Sequence, residues 1–138
     1  MVEDLGRALF RARRLLWTHA ASRLEARGES ILAFQMLAHL QRCGPTGQSE
    51  LATATAQHPT GVSRLLDELE QGGFVRRARD RRDRRKLRVE ITALGIARLE
   101  EARPQVSGAV EEVLRPLAAA ERRALSALLE KLIAGNPP

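Results

Sequence analysis

At Gly72-Gly73 the hydrophobic repeat of this chain changes from 3.6 residues to 2. Upstream, Val62, Leu65, Leu66 and Leu69 recur at helical spacing behind Pro59, a residue suited to a first helical turn. Downstream, Phe74 to Ala78 can form one strand, and Leu87-Arg88-Val89-Glu90-Ile91 alternates strictly, as a strand with one buried face does. The segment between the strands is the hairpin tip. From Arg76 to Arg88 nine basic residues stand against Asp80 and Asp83, a local net of +7, so the other 125 residues sum to −1 within the chain total of +6. The positive charge is thus concentrated at one hairpin, as expected where a polyanion is met at a single place. Arginine supplies 21 of the 23 basic residues, and its planar guanidinium can fork onto phosphate or guanine. A GC-rich genome would raise the arginine share everywhere but would not cluster it.

The rest of the chain reads as helices. Asp4 to Arg27 carries Leu5, Leu9, Ala12, Leu16, Ala20 and Leu24 at three- and four-residue steps and ends at Gly28. Ser30 is a good N-cap for a second helix through Ile31, Phe34, Leu37 and Leu40 to Arg42, closed by Cys43-Gly44-Pro45. A short third helix, Gln48 to Thr55, precedes the one that starts at Pro59, with the connection around Gln57-His58. Thr92 caps a long helix, Ala93 to Arg115, whose stripe Ile96, Leu99, Val106, Val110, Val113 and Leu117 is interrupted by Arg103, and Pro104 is where a kink is expected. A last helix, Ala119 to Ala134, shows Leu125, Leu128, Leu129 and Leu132. The stripe from Ile96 to Leu117 is longer than so small a domain can cover alone, and a partner helix would complete it.

With 138 residues, 43% of them hydrophobic, the chain suits one compact domain. Cys43 is the single cysteine, so no intrachain disulfide forms, and Glu3 and Asp4 stand where an export signal would be basic. No run approaches the roughly 20 apolar residues of a membrane span. A cytoplasmic protein with no membrane partner is expected.

Helix, short helix, helix, then a hairpin with a basic tip is the order of a winged helix-turn-helix: a mainly α fold with a small β-hairpin wing. In that fold the second helix of the pair enters a major groove and the hairpin reaches phosphates or a minor groove. The helix from Pro59 suits the task. Its first half offers Thr60, Gly61, Ser63 and Arg64 with no acid, and Asp67, Glu68 and Glu70 follow only after its midpoint. Gly61 lets the backbone approach DNA and Arg64 has the reach to fork onto a guanine edge. Taken one by one, Thr60 and Ser63 are ordinary helix-start residues and Arg64 a solvated charge; the wing beside them is what favours DNA.

The runs Gln48-Ser49-Glu50-Leu51-Ala52, Thr60 to Glu70, Gly73-Phe74-Val75, Asp80 to Arg85 and Val89-Glu90-Ile91-Thr92-Ala93-Leu94-Gly95 together resemble the MarR family of bacterial transcriptional regulators, end to end. The wing motif ending in a strand, Thr and then Gly carries most of that likeness. The resemblance implies a single domain over 1–138, with dimerisation helices at 4–27 and 93–134 around a DNA-binding lobe at 30–92. It implies a homodimer on an inverted-repeat operator, most simply a repressor released by a ligand. Gln48, Ser49, Thr60, Gly61, Ser63, Arg64, Arg82 and Arg84 are then the expected DNA contacts, Arg82 and Arg84 at the wing tip, while Asp83 and Arg85 brace the hairpin.

Sites for other chemistry are few. Cys43 follows His39 by four residues, so the pair could form a redox-responsive thiol; the plainer reading is a small buried cysteine near a helix end. The peroxide-sensing branch of the family carries its cysteine in the first helix with tyrosine partners, and this chain has no tyrosine. Trp17 occupies the helix where urate-responsive relatives carry a tryptophan, but Gln35 stands where they carry an acid. Trp17, Phe34 and His39 are expected to line an effector pocket. His19, His39 and His58 are spaced too widely for zinc, and no phosphate loop or catalytic pair is present, so neither a metal, a cofactor nor an enzyme is expected. A protein-docking role for the winged helix is the remaining alternative.

Overall fold

Six helices and three short strands follow one another in the computed structural model, which describes residues 1–137. The helices are α1 (Val2–Glu25), α2 (Ile31–Cys43), α3 (Gln48–Ala54), α4 (Pro59–Gln71), α5 (Ala93–Leu114) and α6 (Ala119–Ala134); the strands are β1 (Thr46–Gly47), β2 (Val75–Arg79) and β3 (Leu87–Ile91). Ser30 caps α2, its hydroxyl accepting from the Ala33 amide at 3.3 Å, and Thr92 caps α5, accepting from the Gly95 amide at 3.0 Å. Gly44 at φ 78° turns the chain out of α2. α5 runs through Pro104 as one element.

The sheet corrects one expectation. Thr46-Gly47 pairs antiparallel with Val89 and Arg88, so the hairpin becomes a three-stranded sheet of order β1-β3-β2. Two residues are too few to show a period of 2, and their signal lies inside the turn that closes α2. Buried Thr46 donates its hydroxyl to the Gly44 carbonyl at 2.9 Å. The first hairpin strand also begins one residue later than expected, because Phe74 bonds Leu69 through its amide and Thr92 through its carbonyl, closing the loops at both ends of the hairpin.

The core gathers Met36, Leu37 and Leu40 of α2, Leu51 and Ala52 of α3, Val62, Leu66 and Leu69 of α4, Val75 and Val89 of the sheet, and Leu99 of α5. α5 joins this lobe to α1. Its buried line is Gly95, Leu99, Ala102 and Ala109, whereas Ile96 of the expected stripe is exposed. Small residues lie inward because neighbouring elements press close: a β-carbon at Gly95 would run into the Phe74 carbonyl oxygen, and one at Gly108 into the Arg23 guanidinium. Glu112 fastens the α1–α5 contact, bonding Arg23 and, at 3.1 Å, His19 Nδ1. The Arg23 guanidinium, and then His19, hold the Glu112 carboxyl below its usual range. Arg103, off the buried line, bonds Glu100 at 2.9 Å and Gln41 of α2.

The outer half of α1 and all of α6 are left without cover. α1 buries only Ala20 and Leu24 and exposes Leu5, Leu9 and Phe10. α6 buries no residue, leaving Leu128 at 65% and Ile133 at 67% exposure.

Candidate nucleic-acid interface

α3 and α4 are joined by Thr55-Ala56-Gln57-His58. Ala56 sits in the left-handed region at φ 52°, and the turn is tied down by Gln57, whose amide donates to the Ala52 carbonyl at 2.9 Å and whose side chain donates to Leu32 at 3.3 Å. His58 is the N-cap of α4: its Nδ1 accepts from the Thr60 amide at 3.2 Å. With Val62, Leu66 and Leu69 turned into the core, Thr60, Gly61 and Arg64 are exposed and Ser63 is half-buried. Nothing lies within 4 Å of the place a β-carbon would take at Gly61, so the backbone there is open to approach. Gln48 and Ser49 begin α3, and both border a cleft of about 470 Å³ shared with Pro59 and with Lys86, Leu87 and Arg88 of the wing.

The wing loop, Asp80 to Lys86, is held from inside. Asp80 accepts from the Arg82 amide at 2.8 Å and from Arg88 Nε at 2.7 Å, and Asp83 accepts from the Arg85 amide at 3.1 Å and its Nε at 3.3 Å. The Arg88 guanidinium and the Arg82 amide keep the Asp80 carboxyl below its ordinary range. Arg88 also reaches the Pro45 carbonyl at 3.3 Å, anchoring the wing to the turn after α2. Arg76 pairs with Glu90 at 2.7 Å. Arg77 pairs with Asp67 and Glu70 of α4 at 2.7 and 3.4 Å. Among the described residues Arg64, Arg79, Arg81, Arg82, Arg84 and Lys86 form no ion pair.

Residues 30–86 match the model of the MarR family. The HTH-type transcriptional repressor NicR of Pseudomonas putida is 34% identical over 102 residues, which cover 74% of this chain and 65% of NicR. A solved structure of a Mycobacterium tuberculosis MarR family protein in complex with salicylic acid superposes with a TM-score of 0.81 at 29% identity, covering 94% of this chain and 96% of that one. The Bordetella bronchiseptica protein BpsR, solved in a study of how 6-hydroxynicotinic acid regulates its DNA binding, gives a TM-score of 0.78 at 26% identity, covering 94% and 98%. Residues 30–86 thus resemble the MarR family, and the fold is that of a solved MarR family protein. The chain spans just under two thirds of the length of NicR.

The residues expected to line an effector pocket lie in three separate cavities. Trp17 borders a cleft of about 450 Å³ with Arg13, Arg14, Leu32, Gln57 and His58. Phe34 faces a cavity of about 220 Å³ between α4 and α5, beside Leu65, Phe74 and Arg98. His39 faces a third, of about 620 Å³, with Cys43, Glu50 and Arg88. Trp17 lies on α1 against the α3–α4 turn, while Phe34 and His39 lie on α2 and border different cavities, so succession along the first two helices does not place the three together. Cys43 is exposed, against the buried reading, with its Sγ 3.9 Å from His39 Nδ1. Burial, and then Arg42, lower the pKa of His39, which disfavours the imidazolium that would activate the thiol. No cluster of metal-ligating side chains occurs among the described residues, and no described helix is long and apolar enough to cross a membrane.

The bonds of Arg77 to Asp67 and Glu70, and of Arg88 to Asp80, were not anticipated by sequence reasoning. One signal was available: period 2 puts Arg77 on the same strand face as buried Val75, and an inward arginine needs a carboxylate. His58 gave none, since histidine is not among the favoured N-caps.

Proposed function

We propose that this chain is a homodimeric, sequence-specific DNA-binding regulator that represses from an inverted-repeat operator and responds to a small aromatic acid. One observation carries the DNA reading. Asp67, Glu70, Asp80, Asp83 and Glu90 are each engaged by an arginine, while Arg64 and the wing cations Arg79, Arg81, Arg82, Arg84 and Lys86 stay unpaired. The surface around α4 and the wing therefore offers free positive charge with most of its acids occupied, Glu50 and Glu68 excepted, which suits phosphate better than an acidic protein partner. Thr60, Gly61, Ser63 and Arg64 take the major groove, Gln48 and Ser49 the flanking backbone, and Arg82 and Arg84 the minor groove beside it. Asp83 and Arg85 brace the wing through their mutual bonds. The repressor name of NicR supports the direction of regulation.

Separate variants test the division of labour. Arg64→Ala should cost about 1–3 kcal/mol and relax preference at one base position. Arg82→Ala should weaken all duplexes alike and lower the salt slope by about 1. Equal loss of sequence preference in both would contradict the assignment; competition binding on a mutated duplex panel measures it.

The cleft beside Trp17 is the best-suited effector site. Arg13 stacks over the Trp17 ring at 5.6 Å, and Arg14 borders the same space, so a flat ring bearing a carboxylate finds both an aromatic neighbour and cations. The salicylic acid and 6-hydroxynicotinic acid of the two relatives are of this chemistry. Because the cleft touches both α1 and the first turn of α4, occupancy would shift the separation of two recognition helices. Titration with such acids should change Trp17 fluorescence and release operator together; release with unchanged fluorescence would move the effector elsewhere.

A further inference from the structure

We infer that Arg77 is a positioning residue for DNA recognition: it clamps the base of the wing to α4 at the spacing that lets both engage one duplex. The inference rests on the DNA-binding reading above. Arg77 lies on β2 opposite Val89, whose side chain is buried in the core. Its own side chain is 19% exposed. Nη1 donates to Asp67 Oδ1 at 2.7 Å and to Glu70 Oε1 at 3.4 Å, Nη2 reaches the Ser63 carbonyl at 3.4 Å, and the Arg77 amide donates to Glu70 Oε2 at 3.0 Å. Ser63, Asp67 and Glu70 fall on one stripe of α4, at steps of four and three residues, so a single guanidinium spans two turns of the helix. Its Nε is buried without a partner, so the carboxylates and one carbonyl are what hold the group in place.

The leverage of that contact lies in distance. The wing tip at Arg82 is five residues beyond Arg77, roughly 16 Å along an extended strand. A tilt of about ten degrees at the base would displace the tip by roughly 3 Å, half the width of a minor groove of about 6 Å. The β2–β3 ladder cannot prevent this tilt, because it moves with the wing. The β1–β3 pairing, the Arg88–Pro45 bond and the shared core hold the wing to the lobe as a whole, and among the described residues Arg77 supplies every ion pair between β2 and α4.

Electrostatics alone predicts the opposite sign for one variant, which makes the inference testable. Replacing two acids near bound DNA should tighten binding by simple charge, since repulsion falls and Arg77 is freed as a cation. If the clamp is what matters, Asp67→Ala with Glu70→Ala should instead weaken binding about tenfold. The probe is the duplex that wild-type protein selects from a random pool, titrated over salt and footprinted with hydroxyl radicals. The expected result for that double variant and for Arg77→Ala is loss of protection under the wing and a salt slope shallower by about two phosphates' worth, roughly 1.8. Guanine N7 protection by α4 should persist. Tighter binding by the double variant, or an unchanged slope and wing footprint, overturns the clamp. The double variant replaces exposed residues with good helix formers, so the test stands even where Arg77→Ala does not fold. Wild-type protein that selects no duplex overturns the DNA reading, and this inference with it.

Discussion

Leu66→Asp should abolish the cooperative unfolding transition of the winged-helix lobe. Leu66 has no exposed surface and sits with Val62 and Leu69 of α4 against Met36, Leu37 and Leu40 of α2 and Leu51 of α3. Truncating such a leucine to alanine costs about 2–5 kcal/mol, and placing an unpaired carboxylate in the vacated space adds several more. A domain of this size has only about 5–15 kcal/mol in total. Thermal denaturation followed by circular dichroism would show lost helix and no sigmoidal melt. A melt within a few degrees of wild type would mean that position 66 faces outward and that the helical phase of α4 is wrong. The exposed Arg64, two residues earlier, provides the control: Arg64→Ala should leave the melt unchanged.

Leu128→Glu with Ile133→Glu should give a monomer that has lost operator binding by two to four orders of magnitude. α6 is a 16-residue helix with no buried residue of its own, and isolated helices of that length are marginal in water. Its apolar residues Leu125, Leu128, Leu129, Leu132 and Ile133, together with Leu5, Leu9 and Phe10 of α1, make more exposed hydrocarbon than a solitary chain keeps in water. In the proposed homodimer a second copy of the chain would present the same faces and cover them by two-fold symmetry. Two half-sites held by one dimer bind with an effective concentration near millimolar, and that gain of about 10²–10⁴ disappears when the dimer does. Light scattering reports the mass and fluorescence anisotropy the affinity. A variant that stays dimeric would place the interface on other surfaces.

The long helices and the alternating strand β3 were legible because each repeats a pattern over at least four residues, and several of the helices are bounded by a capping residue, a glycine or a proline. Ser30, Thr92, Gly44 and Pro59 mark ends that the structure keeps. β1 escaped because strand pairing with a distant partner, here Val89 and Arg88, leaves no local trace in Thr46-Gly47. The buried line of α5 was, for a related reason, foreseen only in part: Leu99 is buried and Val106, Val110 and Val113 are half-buried, but Ile96 is not. Bulk was taken as the mark of burial, yet close packing against α1 and the Phe74 loop puts Gly95, Ala102 and Ala109 inside and Ile96 out. The effector residues were grouped by order along the helices, whereas a cavity is made by elements meeting in space, and Trp17 meets the α3–α4 turn, not Phe34 or His39. In the wing, composition showed the charge but not its division into arginines spent on carboxylates and arginines left free.

In the proposed complex the unpaired arginines and the acid-free start of α4 read DNA as a symmetric pair. Selection of duplexes from a random pool by purified full-length protein, followed by sequencing and salt titration of the enriched duplex, tests it most directly. The account predicts an inverted repeat with half-site centres about 10 base pairs apart, or a multiple of one helical turn, and log affinity falling with log salt at about −0.9 per phosphate neutralised. A folded protein that enriches no sequence, or binds with affinity indifferent to salt, would contradict it.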